Sequence, residues 1–79
     1  MGDVDRLTKK MISELKEIYN SEFEEKIDKN NSDNVSKVVN VLASKIDYRY
    51  FMKSYIFFTK CNEEDFKNFF YSCVVKEIL

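Results

Sequence analysis

The 79-residue chain has no histidine, no tryptophan and no proline, and Gly2 is its only glycine. Each absence removes a class of function. Without histidine, the commonest general base and metal ligand is missing. Without internal glycine there is no phosphate-cradling loop of the Walker or dinucleotide type, because those loops need glycine at fixed positions. Tight hairpin turns lose their favoured residue for the same reason. Cysteine is scarce as well. Cys61 and Cys73 allow one disulfide at most, which is not a scaffold, so a reducing compartment, cytoplasmic or nuclear, is the expected setting. Neither thiol has a histidine or a further cysteine to complete a zinc site. No base is spaced to activate a nucleophile. The chain is therefore not expected to be an enzyme, and no catalytic residue, metal ligand, cofactor or small-molecule substrate is implied. No secretory leader is visible, and no apolar run approaches the roughly 20 residues that a bilayer-spanning helix needs.

What is present is aromatic. Seven phenylalanines and five tyrosines make up 15% of the residues, and they are densest in Tyr48–Phe58, YRYFMKSYIFF. Residues 1–79 are read as one small domain, since a chain this short buries only about 60% of its unfolded surface and supports a single core. So small an interior is not expected to hide every ring of residues 48–58. Charge is unevenly spread around a net of −1. Residues 1–31 hold six basic and eight acidic side chains, and residues 63–79 hold two and four. Residues 32–62 hold five basic (Lys37, Lys45, Arg49, Lys53, Lys60) and two acidic (Asp33, Asp47). The aromatic stretch thus lies in the one positive third.

Apolar periodicity is mostly helical. Val4, Leu7, Met11, Ile12, Leu15, Ile18, Tyr19, Phe23 and Ile27 recur at steps of three and four, one face of a helix. Glu22–Lys26 and Glu25–Lys29 are spaced as i,i+4 pairs on its wet side. Such a helix would run for about 37 Å, long for this chain. Ser21-Glu22-Phe23-Glu24 has the form of a capping box, so the alternative is a break near Asn20. The acids Glu22, Glu24, Glu25 and Asp28 lack the alternating ligands and glycine of a calcium loop and read as a solvated face. Lys29–Asn34 is a polar connector, with Ser32 or Asp33 able to cap a second helix. Val35, Val38, Val39, Leu42 and Ile46 then keep the helical step. Asn62 is a good N-cap, followed by Glu63, Glu64 and Asp65 where acids complement the helix dipole. Phe66, Phe69, Phe70, Cys73, Val74 and Ile78 place a helix over 63–78, with Cys73 as a small buried hydrophobe.

Residues 48–59 are ambiguous. Tyr, Phe, Ile and Thr favour strands, while a helix would bring Phe51, Tyr55 and Phe58 together. The fold expected is all-α, a small bundle of three to four helices. The alternative is α+β, two helices followed by a small antiparallel sheet with strands at 49–59 and 67–75. In element order, and in the apolar pattern of residues 35–59, that alternative resembles the dynein light chains, which place two helices before a small sheet. The chain departs from those families in having fewer strand candidates and no glycine for their turns.

Function is expected to be binding. With no chemistry in the sequence and apolar surface in excess, the expected role is a non-catalytic protein–protein interaction module: a subunit, adaptor or inhibitor within a larger complex, or one half of a homo-oligomer. Leu7, Met11, Leu15 and Ile18 offer one partner-binding face. Tyr50, Phe51, Tyr55 and Phe58 offer another, being residue types enriched at interface centres. The alternative partner is nucleic acid, held as an accessory or ribonucleoprotein factor by Lys37, Lys45, Arg49, Lys53 and Lys60 beside the rings.

Overall fold

The computed structural model describes residues 2–79. They form an all-α bundle of four helices: α1 Gly2–Glu22, α2 Ser32–Lys45, α3 Tyr48–Thr59 and α4 Glu63–Cys73. A π-helical turn, Val74–Ile78, continues α4. No strand occurs among the described residues, so the α+β alternative is overturned: residues 49–59 and 67–75 lie in helices. The reason is visible in α3. Two-sided apolarity would require a strand buried on both faces, and two strands of this chain cannot cover one another that way. A helix buries one stripe and leaves the rest to solvent.

Helix α1 is the spine. Its 21 residues extend about 32 Å at 1.5 Å each, and the longest dimension of the molecule is 35 Å. It packs against α2, α3 and the π turn, and α3 packs in addition against α2 and α4. One continuous core results. Leu7, Met11 and Leu15 of α1 meet Val38 and Leu42 of α2, Ile46, Phe51 of α3, and Phe66, Phe70, Cys73 and Val74 of the last segment.

The first helix is shorter than its apolar pattern. It stops at Glu22, and the Ser21–Glu24 capping box does not form, because no helix starts there. The chain turns back instead. Tyr19 organises the turn: its ring stacks on Phe23 with centroids 5.1 Å apart, and its hydroxyl accepts the Ile27 N–H at 3.1 Å. Phe23 and Ile27 still reach the core, but from a loop. The expected Glu22–Lys26 and Glu25–Lys29 pairs are lost with the helix, and Glu22 pairs across to Lys45 of α2 at 3.6 Å.

The corners are set by polar side chains. Helix α2 is capped one residue earlier than Ser32: Asn31 Oδ1 accepts the N–H groups of Asp33 and Asn34 at 3.1 and 3.3 Å. Asp47 caps α3, accepting from Tyr50 at a long 3.4 Å. At α4 the box is complete. Asn62 Oδ1 accepts the Asp65 N–H at 2.9 Å, and Asp65 Oδ2 accepts the Asn62 N–H at 3.2 Å. Helix α3 ends on Lys60 in the left-handed region, φ 61°, a position that favours glycine. Cys73 and Val74, where α4 passes into the π turn, are both buried.

Candidate functional site

At about 100° per residue, the twelve residues of α3 go around its axis more than three times. Phe51 points into the core and is buried, and Tyr48, Met52 and Tyr55 flank it, half-buried. These rings meet α4. Tyr48 lies edge-on to Phe66 and Phe70, with centroids 5.2 Å away in each case. Tyr55 stacks on Phe69 at 4.3 Å. Burial raises the ionisation of the Tyr48 phenol above its ordinary value, with Glu63 and Glu64 adding in the same direction. Burial does the same for Tyr55, with smaller contributions from Cys61, Cys73 and Asp65.

Much of the rest of α3 faces solvent: Tyr50 and Phe57 lie about 100° and 120° around the axis from Phe51, and Phe58 lies near the end of the Phe51 stripe. Phe57 is 68% exposed, Tyr50 47% and Phe58 41%. Arg49, Lys53 and Lys60 are exposed beside them, and residues 48–59 contain no acid. Two of the exposed rings carry an ammonium group over one face. Lys10 of α1 lies 5.2 Å from the Tyr50 centroid, and Lys60 lies 5.0 Å from that of Phe57. Phe57 also stands edge-on to Phe58 at 5.5 Å.

The expected partner-binding residues are thus divided. Leu7, Met11, Leu15 and Phe51 belong to the core and are not available as a docking face in this fold. Ile18 and Tyr55 are half-buried and packed on that core. Tyr50 and Phe58 are exposed. Phe57, the most exposed of the large apolar residues, is not among the expected contact residues. Its signal is available: it lies six residues from Phe51, which is about 240° around a helix from the core. The five cations of the nucleic-acid alternative are divided too. Lys37 and Lys45 lie on α2, where Lys45 is engaged by Glu22, and Arg49, Lys53 and Lys60 follow α3.

The thiols differ in setting. Cys73 is buried, and burial pushes it up to about 11, with Glu77 adding and Lys76 opposing. Cys61 is half-buried and its sulfur lies 3.0 Å from the Thr59 hydroxyl, which also donates to the Tyr55 carbonyl at 2.8 Å. No group of three His, Cys, Asp or Glu side chains among the described residues is placed to hold a metal ion. No described helix is long and apolar enough to cross a membrane. No family model, curated protein or solved structure matches the chain.

Proposed function

We propose that this is a non-catalytic interaction module, a small helical subunit or adaptor that binds another protein through the outer face of α3. The observation that supports the reading most is the exposure of Phe57, Tyr50 and Phe58 together on a helix whose charged residues are all basic. Isolated apolar residues on a surface need no explanation, but a group of rings does. Aromatics and arginine are the residue types over-represented where protein interfaces concentrate their energy. A ridge of rings on a convex helix suits insertion into a partner's groove.

The nucleic-acid alternative is weaker on this geometry. Base stacking needs free ring faces, and Lys10 and Lys60 each cover one face of Tyr50 and Phe57. One of the five cations of that alternative, Lys45, is paired with Glu22.

Site-specific photocrosslinking tests the reading. A benzophenone side chain at position 57 is expected to give a discrete protein adduct in cells, whereas the same group at exposed Asn40 of α2 gives none. Absence of an adduct at 57, or equal adducts at both positions, would refute it.

A further inference from the structure

The aromatic ridge of α3 continues into a groove shared with α1. Asp3, Arg6, Leu7 and Lys10 of α1 line it with Tyr50 and Phe58 of α3, around a cavity of about 290 Å³. Its floor is Leu7, which is buried. Its walls are the two exposed rings. Arg6 and Lys10 stand on its α1 side. On the other side of the ridge, Arg49 and Lys53 are spaced i,i+4 on α3 and therefore lie one above the other. The one ion pair among the described residues is Lys45–Glu22, so these four cations have no carboxylate within salt-bridge distance. Asp3 is the only acid lining the groove. The arrangement is an apolar slot with Arg6 and Lys10 in its lining and Arg49 and Lys53 exposed beyond Tyr50 on α3, in a protein whose net charge is −1.

We infer that the α1–α3 groove is the docking site for an acidic segment of a partner protein. A large apolar side chain of that segment seats on Leu7 between Tyr50 and Phe58, and flanking carboxylates meet Arg6 and Lys10 in the lining and Arg49 and Lys53 beyond Tyr50. The inference rests on the reading of α3 as a binding face and adds the chemistry of the partner. Charge complementarity selects it: unpaired cations around an apolar centre repel a basic partner and steer an acidic one. The arginines suit carboxylates further, because a guanidinium fork can hold both oxygens. A second copy of the chain is disfavoured as the occupant in a two-fold arrangement, since such a contact apposes the same cationic surface on itself.

Selection from a displayed library of random peptides at low salt tests this with the intact protein as bait. Enriched peptides are expected to share a large apolar residue flanked by Asp or Glu. Synthetic versions should bind more weakly as salt is raised and lose affinity by about tenfold or more on Arg6→Glu combined with Lys10→Glu. Lys76→Glu, at the far end of the chain, should change little. Circular dichroism of each variant separates lost binding from lost folding. No enrichment, enrichment without acids, or binding indifferent to the groove variants would overturn the inference. Tighter binding of a single-stranded oligonucleotide, or of phosphatidylserine vesicles, through the same cations would overturn it as well. A crosslink from position 57 together with selected peptides that lack acids would leave the binding face standing and remove only its proposed chemistry.

Discussion

On the inner side of α3, Phe51 is buried, and Tyr48 and Tyr55 lie against Phe66, Phe69 and Phe70. On the outer side, reached by the same helix within a turn or two, Phe57 is 68% exposed, four residues after Lys53 and three before Lys60. Composition does not distinguish the two sides, since each is rich in rings. Register does. The inner rings each find aromatic partners at edge-on or stacked distances, contacts worth about 0.5–1.5 kcal/mol beyond area burial. Of the outer rings, Phe57 meets Phe58 and Lys60, while Tyr50 lies under Lys10 and stands T-shaped to Phe51 at 5.2 Å. A helix can bury only one stripe, and α3 has more apolar residues than one stripe holds. The excess on its outer side is the molecular basis of the proposed interface.

Truncating one ring on each side is the strongest way to break this contrast. Phe51→Ala should destabilise the fold by about 3–5 kcal/mol, as for a buried phenylalanine in a packed core. A chain of this size has a total stability of only about 4–12 kcal/mol, so the variant approaches the edge of folding. Phe57→Ala should change stability by less than about 0.5 kcal/mol. Urea midpoints of the two variants measure the difference. A similar loss for both would mean that Phe57 is a core residue in solution and that the outer face does not exist as described.

The contrast is partly legible in the sequence. The stripes of α2 and α4 follow their apolar spacing, and the complete box at Asn62–Asp65 sits where the acids of the first turn place it. Residues 48–59 are ambiguous in sequence because both faces of a strand there would be apolar, so alternation does not separate helix from strand. Only the neighbours resolve it: α4 offers one wall, Phe66 and Phe70 for Tyr48 and Phe69 for Tyr55. Ile27 shows the opposite failure. Its apolar step continues that of α1, yet it is held from a loop by the Tyr19 hydroxyl, a tertiary hydrogen bond that spacing cannot reveal. Leu7, Met11 and Leu15 were expected to face a partner and instead face the chain itself, because an amphipathic stripe does not record which surface covers it. The placement of Arg6 and Lys10 beside Tyr50 and Phe58 depends on α1 lying against α3, which spacing does not reveal.

High pH sharpens the comparison through ionisation of the inner side. Tyr48 and Tyr55 are raised above 10.0, and Cys73, behind them on α4, is raised from 9.0 to about 11. Each is neutral when protonated, and burial disfavours its anion. The unfolded chain therefore gives up these protons at lower pH than the native one. Their contribution to stability is fully present below about pH 9 and is lost as pH rises toward and beyond 11. Thermal midpoints should hold between pH 7 and 9 and fall above that. Cys73→Ala trades this dependence for a small cavity, so it should be less stable at neutral pH with a shallower alkaline decline. A decline of unchanged steepness would remove Cys73 from the explanation.

The two ends of α3 provide a smaller contrast. Asp47 caps its start through one long bond, whereas Asn62 and Asp65 close the start of α4 reciprocally. Asn62→Ala should cost about 1 kcal/mol, within the 0.5–2 kcal/mol range of lost N-caps. Asp47→Ala should cost less, because a 3.4 Å contact is at the weak end of hydrogen bonding. Amide exchange at Asp65 and Tyr50 reads each corner separately. Equal costs would show that the Asp47 contact tightens in solution.

Between those corners lies Lys60, whose φ of 61° is the only left-handed non-glycine conformation among the described residues. A side chain there costs roughly 1 kcal/mol relative to glycine, yet its ammonium group sits over Phe57, an exposed cation–π contact worth about 0.5–1 kcal/mol. The two effects oppose one another, so Lys60→Gly should alter stability by only a few tenths of a kcal/mol, the smallest change predicted here. Lys60→Asn, which tolerates the left-handed region but cannot replace the cation, should be close to the same. The binding surface should respond more than the fold does, because both substitutions uncover the Phe57 ring face and remove a positive charge beside it. If either variant instead gained a full kcal/mol, the contact between Lys60 and Phe57 would be energetically empty. The outer face would then owe its arrangement to the backbone corner alone.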